Sequence, residues 1–152
     1  MRPVPAAAVT LGGTGLHVEP SAGEIPEAEC WEKLRGASVG RLALSARALP
    51  VIIPVRYVID GTTVVACMGS DAPFGAVVDD VVAAFSVESI DGATGSGWCV
   101  HVQGVVRTVP TSGSQACPPD GGRLLRLEPA AVVGRRLTLP QPTAPGEPVA
   151  VG

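Results

Sequence analysis

The feature that most constrains this chain is an alternation between residues 98 and 107. Trp98, Val100, Val102, Gly104 and Val106 take every second position, with Cys99, His101, Gln103, Val105 and Arg107 between them. A period of two sends successive side chains to opposite faces of a strand, so this segment belongs to a sheet with one apolar face. Composition agrees. The aromatic residues are few (Trp31, Tyr57, Phe74, Phe85 and Trp98), so the core must come from Val, Leu, Ile and Ala, and Val-rich cores favour strands. With 19 Gly and 15 Pro in 152 residues, roughly twice the ~12% background, many turns and few long helices are implied.

The rest of the chain reads accordingly. Residues 26–35 form a short amphipathic helix: Pro26 suits the first helical position, and Glu27 and Glu29 favour the positive end of the dipole. Lys33 and Arg35 favour the other end, Gly36 supplies a stop, and Cys30, Trp31 and Leu34 recur at helical spacing. Strands follow at 38–45 and 51–59, a tight turn at Asp60-Gly61, and a returning strand at 62–68. Turn chemistry with a short helix around 75–78 leads to strands at 81–88 and 98–107, a shorter one at 123–127, and an extended segment at 132–137. About six antiparallel strands with one or two short helices define a mainly β fold, a small barrel or sandwich. Pro54 falls inside the second strand; proline cannot donate to a ladder, so an edge or a bulge is expected there.

The length suits one domain. Residues 1–24 read as a flexible N-terminal extension, 25–138 as the folded domain, and 139–152 as a tail dense in proline (Pro140, Pro142, Pro145, Pro148). No apolar run reaches the ~18–20 residues that span a bilayer. Eleven basic against fourteen acidic residues give a net charge of −3, which offers no positive field for nucleic acid. The N-terminus lacks the apolar run of a signal peptide, so the expected compartment is the cytoplasm and the expected state of Cys30, Cys67, Cys99 and Cys117 is the free thiol. Cys67 and Cys99 would be redox partners only if their strands were neighbours. No CxxC pair exists, and Asp79-Asp80 reads as a solvated pair, so no metal site is expected. The glycines at 12, 13 and 15 lack the spacing and preceding strand of a nucleotide loop.

Four segments in order resemble one family. Glu29-Cys30-Trp31-Glu32-Lys33-Leu34 followed by Val39-Gly40-Arg41-Leu42-Ala43, then Ile53-Pro54-Val55-Arg56-Tyr57 with Asp60-Gly61, then Gly97-Trp98-Cys99-Val100-His101-Val102-Gln103-Gly104, and last Arg126-Leu127-Glu128-Pro129 to Gly134-Arg135-Arg136-Leu137, are similar to the pyridoxamine 5′-phosphate oxidase-like proteins, the FMN-binding split barrels. The resemblance spans about residues 27–137 and implies a six-stranded antiparallel split β-barrel that works as a homodimer, with FMN between the protomers and a small-molecule substrate. It implies that Ile53, Pro54 and Val55 line the flavin ring, that Cys67 and Met68 meet the ribityl chain and phosphate, that Ser70 to Pro73 turn around the phosphate, and that Trp98 lies near the cleft or the dimer contact. No side chain stands out as a general acid or base, which suits flavin oxidoreductase chemistry.

The chain also departs from the family. Relatives carry cations beside the phosphate, whereas Gly69 to Phe74 hold none and include Asp71. Arg56, or Arg135 and Arg136 from either protomer, would have to compensate. The alternatives are a deazaflavin in place of FMN, a haem held by His101, or no cofactor at all, in a dimeric small-molecule-binding or structural module.

Overall fold

A computed structural model describes residues 23–69, 80–109 and 122–146. The elements are β1 (Glu24–Ile25), α1 (Glu27–Arg35), β2 (Val39–Ala46), β3 (Leu49–Asp60), β4 (Thr63–Met68), β5 (Val81–Ile90), β6 (Ser96–Val109) and β7 (Arg123–Thr138). The sheet order is β1-β7-β4-β3-β2-β5-β6, and β6 pairs again with β7. Six strands therefore close into an antiparallel ring, with the two-residue β1 added beside β7. The mainly β barrel with one short helix matches the expectation from the sequence. Ser70, the segment at 75–78, Asp79 and the glycines at 12, 13 and 15 lie outside the described residues.

Alternation sorts the side chains of each strand. Leu42 and Leu44, Ile53, Val55 and Tyr57, Val64 and Ala66, Phe85 and Val87, and Val100, Val102 and Val106 all enter the core. The odd positions of β6 behave as the sequence pattern requires, apart from Cys99, which is buried on the other face. In α1, Cys30, Trp31 and Leu34 face the barrel. Pro26 is the N-cap rather than the first helical residue, and its carbonyl accepts the Cys30 N–H at 3.0 Å.

Tyr57 joins the helix to the barrel. Its hydroxyl donates to the Leu34 carbonyl at the C-terminal end of α1, and its ring meets Phe85 edge-on with centroids 4.8 Å apart. Carbonyls of the last helical turn have no partner within the helix, so this bond satisfies an otherwise orphaned acceptor. Burial pushes the phenol pKa up from 10.0 to about 12. A group whose pKa is higher folded than unfolded contributes stability fully below the unfolded value and loses it as pH rises through the folded one. The fold should therefore lose about 2–3 kcal/mol between pH 10 and 12 through this residue. Denaturant midpoints measured across that range check it, and Tyr57→Phe should flatten the decline.

Three local features refine the sequence reading. The segments 123–127 and 132–137 are one continuous strand, β7, which carries Pro129 opposite Gly104, where the β6–β7 register shifts. Arg47 and Ala48 make the β2–β3 turn with φ of 50° and 64°, left-handed values that cost non-glycine residues roughly 1 kcal/mol each. Pro54 sits in an unbroken one-to-one register with β2, opposite Arg41, so there is no bulge. β4 pairs with β3 only from Arg56 to Asp60, so Pro54 occupies a stretch whose other side has no strand beside it among the described residues. Of the two expectations for the proline, the edge holds.

Candidate functional site

The residues that alternate with the core set build a second, outward face. Cross-strand register places Pro54, Arg41, Ser86, His101 and Val133 in one row over β3, β2, β5, β6 and β7. A neighbouring row sets Val39 beside Arg56, Arg56 beside Cys67, and Cys67 beside Leu124. Two concavities flank the β3 segment between them.

The first is a groove of about 460 Å³ lined by Val39, Gly40, Arg41, Pro54, Ser86, Val87, Glu88, Ser89 and Ile90. It exists because β2 and β5 pair only over 41–44 and 83–86 and then separate. Phe85 lies at that separation: a Cβ on Gly40 would fall 2.2 Å from its ring. Glycine is what lets the ring reach under β2. Across the groove Arg41 donates to the Glu88 carboxylate; both side chains are largely exposed, so the pair orients groups more than it stabilises the fold.

The second concavity, about 400 Å³, is lined by Ser38, Arg56, Tyr57, Val58, Val65, Cys67 and Leu124. Arg56 is exposed and, among the described residues, enters no ion pair or hydrogen bond. Pro54 and Arg56 lie two positions apart on one face, about 7 Å, so the two hollows adjoin across β3.

The sequence-predicted residues divide by parity. Pro54, Arg56 and Cys67 come together on the outer face. Ile53 and Val55, 7% and 4% exposed, turn inward with Met68, leaving only backbone for a ligand outside. Trp98 is half-buried at one end of the barrel, where the Lys33 ammonium lies 4.6 Å from its ring centroid. Its cross-strand neighbour Ser89 lines the first groove, whereas Trp98 itself does not. His101 is exposed, with two strands between it and Pro54.

The structure bears on the expected cations, and one expectation about thiols needs correction. Arg136 is tied to Glu29, and Arg135 stands opposite Cys99 on the β6-flanked part of β7, whereas Arg56 adjoins the β4-flanked part. Neither arginine supplements Arg56 within one protomer. Cys67 is disulfide-bonded, against the expected free thiol, while Cys30 and Cys99 are free, so Cys67 and Cys99 are not partners. Burial first, then neighbouring carboxylates, push the Cys30 and Cys99 thiols up, which makes them poor nucleophiles. Among the described residues no cluster of His, Cys, Asp or Glu could hold a metal. No described helix is long and apolar enough to cross a membrane.

The arrangement is a closed six-strand barrel whose outer surface carries one hollow over β2, β3 and β5 and a second over β3, β4 and β7, with Arg56 in the second. Residues 26–117 match the family profile of pyridoxamine 5′-phosphate oxidase. The chain belongs to the pyridoxamine 5′-phosphate oxidase-like family of FMN-binding split barrels.

Solved structures share the fold. An FAD-binding protein from Mycobacterium smegmatis is 23% identical, with TM-score 0.62, covering 76% of this chain and 99% of that one. An FAD-binding protein from Mesorhizobium loti is 17% identical, with TM-score 0.59 and coverage of 74% and 94%. An FAD- and haem-binding protein from Mycobacterium smegmatis is 14% identical, with TM-score 0.56 and coverage of 80% and 76%. A comparison with curated proteins finds no match.

Sequence reasoning missed the Arg41–Glu88 pair. The signal was present in parity alone: Glu88 follows Ala84 and Ser86 on the outward positions of β5.

Proposed function

We propose that the outer face of β2 and β3 is half of a flavin cleft, completed by a second copy of the chain, and that the assembled protein is an oxidoreductase acting on a small organic molecule. The observation that carries this reading is the pair of adjoining hollows on either side of Pro54 and Arg56. A planar ring system needs apolar walls, and its phosphate needs a cation. Pro54 with the backbone of Ile53 and Val55 supplies the first, and Arg56 the second. FMN is the family's ligand; three of the solved relatives are described as FAD-binding, and a deazaflavin has the same planar shape.

When bound, a flavin supplies two-electron transfer. The chain's own residues then orient and shield. Pro54 and Val39 exclude water from one ring face, and the Arg41–Glu88 pair fixes hydrogen-bonding groups at the groove rim. A donor set of apolar walls and one guanidinium fits such a ligand.

A second copy is favoured by what the outer face exposes. Val39, Ile52, Val58 and Val82 on β2, β3 and β5 are 56%, 68%, 60% and 75% exposed, and large apolar side chains left in water on one side of a sheet favour an interface. Ile52→Asp places a charge at its centre. Light scattering at micromolar concentration should return a dimer for the natural chain and a monomer for the variant, with flavin affinity lowered at least about tenfold by loss of the second wall. A natural chain that scatters as a stable monomer contradicts the reading. The cofactor-free alternative gains from the absence of Lys and Arg between residues 57 and 106, and it would leave the protein colourless and unresponsive to millimolar flavin.

A further inference from the structure

The residues that follow β7 line neither hollow, and their apolar side chains recur every third position. Leu139, Pro142 and Pro145 stand at i, i+3 and i+6. A proline fixes its own φ at about −65° and holds the residue before it extended. Pro140, Pro142 and Pro145, with Leu139, Gln141 and Ala144 before them, therefore leave only Thr143 unrestricted between 139 and 145. Such a backbone favours polyproline II, whose three residues per turn put the three apolar side chains on one edge. Residues 139–144 carry neither helix nor strand, and Gly146, at φ 91°, ends the run.

The barrel holds this segment at one point and leaves the rest in water. The Leu139 N–H donates to the Gly95 carbonyl at 2.8 Å, the one backbone hydrogen bond from the segment to the barrel among the described residues. Gly95 permits that approach, since a Cβ there would stand 2.5 Å from the Leu139 carbonyl oxygen. Leu139 and residues 140–146 are all exposed, and none of them is charged.

We propose that residues 139–145 dock another protein, one that takes the Leu139, Pro142 and Pro145 edge in a groove lined by aromatic rings. Proline rings pack on such walls, and a backbone already extended loses little entropy on binding. The chain itself offers no such groove among the described residues. Trp31, Tyr57 and Phe85 are buried, and Trp98 lies under the Lys33 ammonium. The partner is therefore not a second copy. With no charge in the segment, recognition rests on shape and apolar contact rather than on ion pairs. The surface lies apart from the flavin cleft and does not depend on it.

The test titrates the full chain, isotopically labelled for NMR, with two isolated probes whose grooves are aromatic-lined, an SH3 domain and a WW domain. At least one should shift the resonances of residues 139–146 by millimolar concentration and leave those of β2 to β6 unchanged. Pro142→Ala and Pro145→Ala should each weaken that binding about tenfold, the scale of two lost buried methylenes. Pro140→Ala, off the edge, should cost only about two- to threefold through lost backbone restriction. All three substitutions fall in an exposed segment, so the barrel survives them. Raising the salt concentration about tenfold should change the affinity less than about twofold. No shift with either probe at millimolar concentration overturns the proposal. So do shifts confined to the barrel, equal losses at Pro140 and Pro142, or binding that salt abolishes.

Discussion

Replacing Phe85 with alanine is expected to cost about 3–5 kcal/mol of folding free energy. The ring is fully buried, meets Tyr57 edge-on, and lies against Gly40. Its removal leaves a cavity where β2 and β5 separate and where Tyr57 braces α1. Two links therefore fail at once, the packing of the barrel end and the support of the groove above it. Urea unfolding should show a lower midpoint with an unchanged slope. A loss under about 1 kcal/mol would mean that the site collapses around the missing ring, and the ring would then not be what holds the groove open.

The second large effect is at Gly104. A Cβ there would stand 1.9 Å from the Glu128 carbonyl oxygen and 3.1 Å from the Pro129 Cα. Both obstacles are backbone, so no rotamer change relieves them. Gly104→Ala should force β6 and β7 apart at the register shift between Gln103 and Gly104, at or above the ~3 kcal/mol end of overpacking penalties. The β6–β7 contact closes the ring. Amide exchange should therefore rise along both strands in the variant, and unaltered protection there would count against this role for the glycine.

Much of this was legible in the residues because alternation is a physical readout of sidedness. The 98–107 pattern gave β6 and its buried face, and Asp60-Gly61 gave the β3–β4 turn, with Gly61 at φ 62°. Pro54 announced the unpaired side of β3. The β2–β3 turn carried no such signal, because Arg47 and Ala48 hold left-handed angles that their side chains disfavour. The unity of β7 was hidden for a related reason: Pro129 reads as a break, yet it is accommodated where the register already shifts.

The site was half legible. The motifs point to β3, but parity sends the members of Ile53-Pro54-Val55 to opposite faces, so they do not form one wall. The same parity separates Cys67 from Met68. Parity puts Glu88 on the outward side of β5, but its partner was not readable, since Glu88 and Arg41 are 47 positions apart and meet through the β2–β5 ladder. Within one protomer, topology sets Arg135 and Arg136 at the other end of a sixteen-residue strand from the part beside β4.

Hydrogen–deuterium exchange of the full chain, with and without saturating flavin, addresses the central claim most directly. The ligand should slow exchange in peptides covering 39–42 and 52–58, with one flavin bound per chain at saturation and β7 beyond Arg126 unchanged. Protection confined to other strands, or no change at millimolar flavin, would contradict the assignment of the cleft to the outer face of β2 and β3.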